Sequence, residues 1–368
     1  MRTLILTGPR TEDQGAIAQA LKAALSARDG SVLTVGALSL LGPHAPLSLT
    51  NALEREALFS PRAFAFLQAG SAFQREHKRK SSVYEANALY MENLRTLLSE
   101  GEFDAVLCLG RYQAEAVTRL KKTLAFSARC CFVPDSFACV PFLEETTLDV
   151  YFTAHESLLE PCIRRGVNQA RLVPAGIPLP AAWFREEERA DARALLSLPQ
   201  GTPVYLIRSA SDPAAAAEAM LDRLKGADAR VCVVTPEADL PRNPFSARFS
   251  GEIRIVAVPP DDETPLYRNA CDVLLCQPSG AVSAAAAVSG TPIVHLPPQD
   301  DYEAQTASFF SARGMSVAAP NLSEAADAAI ALAKDAGARE QTLSAQRGVC
   351  RRDAAERIAR YLHEGKIE

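Results

Sequence analysis

No stretch of this 368-residue sequence approaches the ~20 apolar residues that a helix needs to cross a bilayer, so no membrane span is expected. The nine cysteines form no CxxC pair and no Cys/His cluster at metal spacing. That removes the usual zinc and dithiol motifs, and no metal or resident cofactor is expected. An odd count without a framework points to a reducing, cytoplasmic setting. The thiols read as small buried groups, as with Cys130 and Cys131 inside an apolar run. There is no basic stripe. With a net charge of -5, nucleic acid is not an expected partner, although a local basic patch could still face a membrane. Neither GxGxxG nor GxxxxGK[ST] follows the first strand, where Gly8 and Gly15 are the only glycines. The opening Arg2–Thr7 reads as a strand, too short and too early for a secretion signal. No short repeat and no low-complexity tract occurs beyond alanine-rich helices.

What the sequence does carry is alternation. Short apolar runs at Leu4–Thr7, Ser31–Val35, Phe103–Leu109, Arg129–Val133, Leu148–Thr153 and Arg171–Pro174 predict strands. Between them, Gln14–Arg28, Val83–Leu98, Gln113–Lys122 and Glu156–Arg165 have helical spacing. The segment Ala175–Pro180, rich in Pro and Gly, interrupts the pattern, and strand–helix alternation then resumes from Pro203. The sequence therefore reads as α/β, with two similar Rossmann-like halves facing a cleft. The divisions expected are 1–178, 179–345 and a final helix in 346–368 that packs back on the first half. The last helices are expected at Ser323–Ala336 and Arg339–Leu362.

Ligands of parallel sheets sit beyond the carboxyl ends of the strands. In the second half that position falls on Pro278-Ser279-Gly280, followed by the small-residue helix Ala281–Ser289. A helix start presents unpaired N–H groups and partial positive charge, which suits a phosphate. Ser279, Gly280, Ala281 and Ser283 are the candidate contacts, and Arg208 can add a guanidinium. The other reading of Arg208, the favoured one, is one half of a surface ion pair. Glu303 reads either as a ligand for sugar hydroxyls or as a first-turn acid favoured by the helix dipole. His155 and His295 read as structural. In the first half, Asp135 follows the strand Arg129–Val133 and points to the same kind of edge. It is the candidate general base, with a turn cap as the alternative; Gln14, in the loop Gly8–Gly15 expected to face the same cleft, can donate a hydrogen bond but cannot take a proton. Phe64–Lys80 joins aromatics to a basic cluster. It reads as an anionic-membrane contact or as a solvated charged turn.

The segment Pro134-Asp135-Ser136-Phe137-Ala138-Cys139-Val140-Pro141-Phe142-Leu143-Glu144-Glu145-Thr146, with Leu148–Phe152, His155-Glu156, Arg165-Gly166-Val167 and Pro174–Leu179, resembles the monogalactosyldiacylglycerol synthase and processive diacylglycerol glucosyltransferase group. The resemblance implies a GT-B fold and inverting transfer of a hexose from a UDP-sugar to diacylglycerol or a similar lipid. The setting it implies is the inner membrane face, with the protein cytoplasmic and peripheral. It also supports Asp135 as the acceptor-side acid. The donor turn departs from the group's pattern. Val282 and Ala285 stand where the group has threonine and glutamate, and Gln14 stands where it has histidine. Arg208–Pro213 lacks the group's glycines. Two further readings therefore stay open: a catalytically silent relative with a binding or regulatory role, and a sugar-nucleotide epimerase.

Overall fold

A computed structural model describes residues 1–8, 12–41, 87–124, 126–184, 187–209, 212–234, 247–258 and 264–366; the stretch Phe64–Lys80 lies outside them. The chain forms two compact units. The first holds Met1–Pro180, Gln299–Tyr302 and Asp353–Glu368, and the second Ala181–Pro298 and Glu303–Arg352.

The first unit contains β1 (Arg2–Thr7), α1 (Glu12–Ser26), β2 (Ser31–Gly36), α2 (Met91–Glu100), β3 (Ala105–Cys108), α3 (Arg111–Lys121), β4 (Arg129–Phe132), β5 (Val150–Thr153), α4 (Leu159–Arg165) and β6 (Leu172–Pro174). Among the described residues the strands form one sheet in the order β2-β1-β3-β4-β5-β6. Every pairing is parallel. Strands covered on both faces need continuous apolar runs. Leu4, Ile5 and Leu6 supply one, and Val106, Leu107 and Cys108 another, all essentially without exposure. Ile17, Leu21 and Leu25 bury one face of α1 at helical spacing.

Of the helix expected over Val83–Leu98, residues 83–86 lie outside the described residues, and α2 begins at Met91 after a turn at 87–90. Asn87 is buried, its Nδ2 donates to Tyr112 O at 2.9 Å and to Glu115 Oε2 at 2.7 Å, and Tyr90 Oη donates to its Oδ1 at 2.7 Å. These bonds hold the chain in a 3-10 turn there, so the α-helix starts at Met91.

The second unit contains α5 (Arg189–Leu195), β7 (Val204–Arg208), α6 (Pro213–Leu224), β8 (Arg230–Val234), β9 (Ile255–Val258), α7 (Thr264–Ala270), β10 (Val273–Cys276), α8 (Gly280–Val288), β11 (Ile293–His295), α9 (Asp301–Ser311), β12 (Val317–Ala318), α10 (Leu322–Lys334) and α11 (Ala336–Gln346). Asp301 and Tyr302, at the start of α9, belong with the first unit. The sheet order is β12-β11-β10-β7-β8-β9, again all parallel. Alanines let α8 bury almost completely: Gly280 through Ala287 are all buried.

The single terminal helix expected over Arg339–Leu362 is two. Helix α11 stops at Gln346, and α12 (Ala354–Glu364) follows as part of the first unit. Gly348 sits between them at φ +76, a left-handed backbone that glycine adopts without strain. Gln346 fixes the end of α11 by donating Nε2 to Thr291 O at 3.1 Å and to Met315 O at 2.9 Å. Within the first unit, α12 packs on α1, and Tyr361 meets Phe152 edge-on at 5.4 Å.

Both sheets reverse direction of growth once. In the first, β1 leads to β2 on one side and to β3 on the other; in the second, β7 leads to β8 on one side and lies beside β10 on the other. Crevices in parallel sheets open at such switch points, outside the carboxyl ends of the strands.

Candidate functional site

In the first unit the residues after β1, β3 and β4 converge at the switch point. Gln14, on the first turn of α1, is 7% exposed and fully used. Its Oε1 accepts from Gly8 N–H at 2.7 Å, and its Nε2 donates to Leu109 O at 2.9 Å and to Asp135 Oδ2 at 2.9 Å. One side chain thus ties the ends of β1 and β3 to the residue following β4. The two first-unit candidates from the sequence, Gln14 and Asp135, are in contact.

Asp135 is half-buried. Burial pushes its carboxyl up to about 6, and the charge of Asp13 acts in the same direction. The bond from Gln14 pulls the other way, because a donor favours the charged form. The result is a carboxylate that is ionised at neutral pH yet a better proton acceptor than an ordinary aspartate.

Two further side chains join this edge, and the sequence reading passed over both. Arg111 opens α3 and is buried. Its guanidinium donates to Tyr302 Oη at 2.6 Å and to Tyr112 Oη at 3.3 Å, and it lies 5.7 Å from the Phe142 ring centre. Gln113 donates Nε2 to Thr7 O at 3.3 Å, and its Oε1 folds back over Gly110, the N-cap of α3. A Cβ at Gly110 would crowd that oxygen, so the far end of Gln113 would have to shift. The signal available in the sequence was Gly110-Arg111-Tyr112-Gln113 directly after an apolar strand: a polar first turn at a strand's carboxyl end.

In the second unit, Arg208 ends β7 and is paired in register with Cys276 at the end of β10. Its guanidinium stands 5.8 Å from the Trp183 ring centre. Ser279 caps α8, its Oγ accepting from Val282 N–H at 3.1 Å. The N–H groups of Gly280 and Ala281 have no carbonyl four residues back within the helix. Ser283 is placed otherwise than the sequence reading supposed. It is fully buried, its N–H donates to Ser279 O at 3.0 Å, and its Oγ lies 3.0 Å from His295 Nε2. His295 Nδ1 meets Ser316 Oγ at 3.1 Å. Burial pushes the imidazole down to about 3, so it is neutral and structural. Ser283 therefore holds β11 against α8, and its hydroxyl is not turned to a ligand. Glu303 is half-buried on the first turn of α9. Among the described residues no three His, Cys, Asp or Glu side chains gather as a metal-ligand set.

No family model matches the chain, and no curated protein does. Solved structures match along its whole length. The UDP-GlcNAc 2-epimerase of Neisseria meningitidis bound to UDP-GlcNAc aligns at 13% identity, TM-score 0.65, over 99% of this chain and 100% of that one. The glycotransferase of kitacinnamycin aligns at 13% identity and TM-score 0.65, over 100% and 99%. The S. aureus MnaA–UDP structure aligns at 15% identity and TM-score 0.64, over 98% and 95%. Likeness at such identities concerns the fold alone. That fold is GT-B, with two Rossmann-like α/β units in one chain.

Proposed function

We propose that this protein is a UDP-sugar-dependent hexosyltransferase acting on a lipid hydroxyl, with diacylglycerol the leading acceptor. The observation that carries the reading is the Gln14–Asp135 contact at the switch point of the first sheet. Asp135 takes the proton from the acceptor hydroxyl as that oxygen attacks the anomeric carbon and the UDP leaves from the opposite face, inverting the centre. Gln14 holds the carboxylate in place and keeps it ionised. Within the second unit, the groups suited to a diphosphate are the α8 N-terminus, with Ser279 fixing the helix start, and Arg208. UDP and UDP-GlcNAc in the fold relatives support a UDP-sugar donor. Resemblance to the diacylglycerol glycosyltransferase group supports the acceptor and attachment at the inner membrane face.

The donor-side side chains favour a second reading. Ser283 is engaged by His295, and Val282 and Ala285 offer no polar atom to a ribose. Losing one charged hydrogen bond to a ribose costs about 1.5–3 kcal/mol, or one to two decades in affinity. A silent, regulatory relative would tolerate several such losses. Incubation with radiolabelled UDP-hexoses and diacylglycerol vesicles separates the readings: labelled glycolipid supports transfer. Free UDP with an isomerised sugar, and no lipid product, would mean an epimerase. Absence of turnover together with no melting shift in UDP would mean a silent protein.

A further inference from the structure

The geometry points to an oxyanion-binding pocket in the second unit, lined by the segments that precede β10 and β11. A cavity of about 320 Å³ is lined by Arg268 of α7, by Arg352, and by Ser289-Gly290-Thr291. Those three residues join the end of α8 to the start of β11, which places the cavity at the amino edge of the sheet.

Arg268 is the anchor. It is 5% exposed, and one Nη2 donates to Trp183 O. Its Nε has no partner, and no carboxylate stands within ion-pair distance, among the described residues. Burial and the nearby charge of Arg208 push the guanidinium down to about 10, still charged at neutral pH. A buried cation without a counter-charge is strongly unfavourable, and an anion in the adjoining cavity relieves it. Ser289 adds a buried Oγ without a partner among the described residues. Arg352 brings a second guanidinium at the rim, 5.6 Å from the Phe184 ring centre.

The lining also carries Arg189, Glu187 and Glu188. Arg189 is paired with Asp272 at 3.2 Å. Glu187 receives Asn269 Nδ2 at 3.4 Å, and Glu188 is exposed to water, where its charge is screened. The ligand class is a small oxyanion, a phosphate or phosphomonoester in preference to a carboxylate, since two guanidinium groups and a hydroxyl line the cavity and a phosphate brings more charge and more acceptor oxygens.

The test is thermal unfolding of the full chain in inorganic phosphate, in acetate and in chloride at matched ionic strength. The expected result is a rise in melting temperature with phosphate over chloride, retained in Arg208→Ala. In Arg268→Met and Arg352→Gln the phosphate affinity falls at least about tenfold, measured by titration calorimetry. Arg352 is exposed, so its variant reports even if Arg268→Met does not fold. An acetate response as strong as the phosphate one overturns the phosphate preference. A response equal in chloride, or unchanged in Arg352→Gln, overturns the pocket. A response lost only in Arg208→Ala assigns the anion to the end of β7 instead. The proposal is independent of sugar transfer, so an inactive protein leaves it standing.

Discussion

Asp135→Asn is expected to stabilise the protein at alkaline pH. The folded-state carboxyl lies at about 6 against an ordinary 3.8, which favours the folded state only while the group is protonated. That contribution is complete below the unfolded-state value and is lost as pH rises through 6. Two units correspond to about 3 kcal/mol in total, of which roughly 2 kcal/mol falls between pH 4.5 and pH 8. Asparagine does not titrate, and its Oδ1 can still accept the Gln14 bond. The melting temperature of Asp135→Asn minus that of the parent should therefore be larger at pH 8 than at pH 4.5. For a unit of this size the difference is roughly 4–8 °C. Scanning calorimetry of both proteins at both pH values decides the matter. An equal difference at the two pH values, or a larger one at pH 4.5, refutes the argument that burial governs Asp135.

Gln14→Leu strips partners from Gly8 N–H, Leu109 O and Asp135 together, so urea unfolding should show a loss of about 2–4 kcal/mol. The same change should move the acid limb of any transfer rate to higher pH, because the bond that lowers the Asp135 carboxyl is gone. His295→Phe should flatten the acid sensitivity of the second unit. The imidazole is held near 3, below its unfolded value, so in the parent its contribution is full above about 6.5 and drains as pH falls towards 3, as circular dichroism against pH would record. Gly110→Ala should cost about 1 kcal/mol, read from the urea midpoint, because Gln113 must shift and loses its bond to Thr7 O.

The fold was legible because its strands are continuous apolar runs, such as Leu4–Leu6 and Val273–Cys276, which only a doubly covered parallel sheet accommodates. Asp135 was legible because a polar residue directly after a buried strand has few places to be. Gln14 was legible through the resemblance, which sets it where the group has histidine in the first loop. Other features depend on long-range partners that no local pattern encodes. The turn before α2 comes from Asn87 reaching Glu115, and the engagement of Ser283 comes from His295 on another strand. Arg111 was missed because its partner Tyr302 is distant in sequence. The break in the last helical stretch rests on Gly348, which periodicity smoothed over.

The central claim is that Asp135 accepts the proton of a lipid hydroxyl during transfer from a UDP-sugar. Radiolabelled hexose appearing in glycolipid, measured for the parent and for Asp135→Asn alongside UDP affinity by calorimetry, tests it most directly. The account predicts labelled lipid from the parent, a loss of about 10²–10⁴-fold in the variant, and unchanged UDP binding. Equal turnover by the two proteins would contradict it.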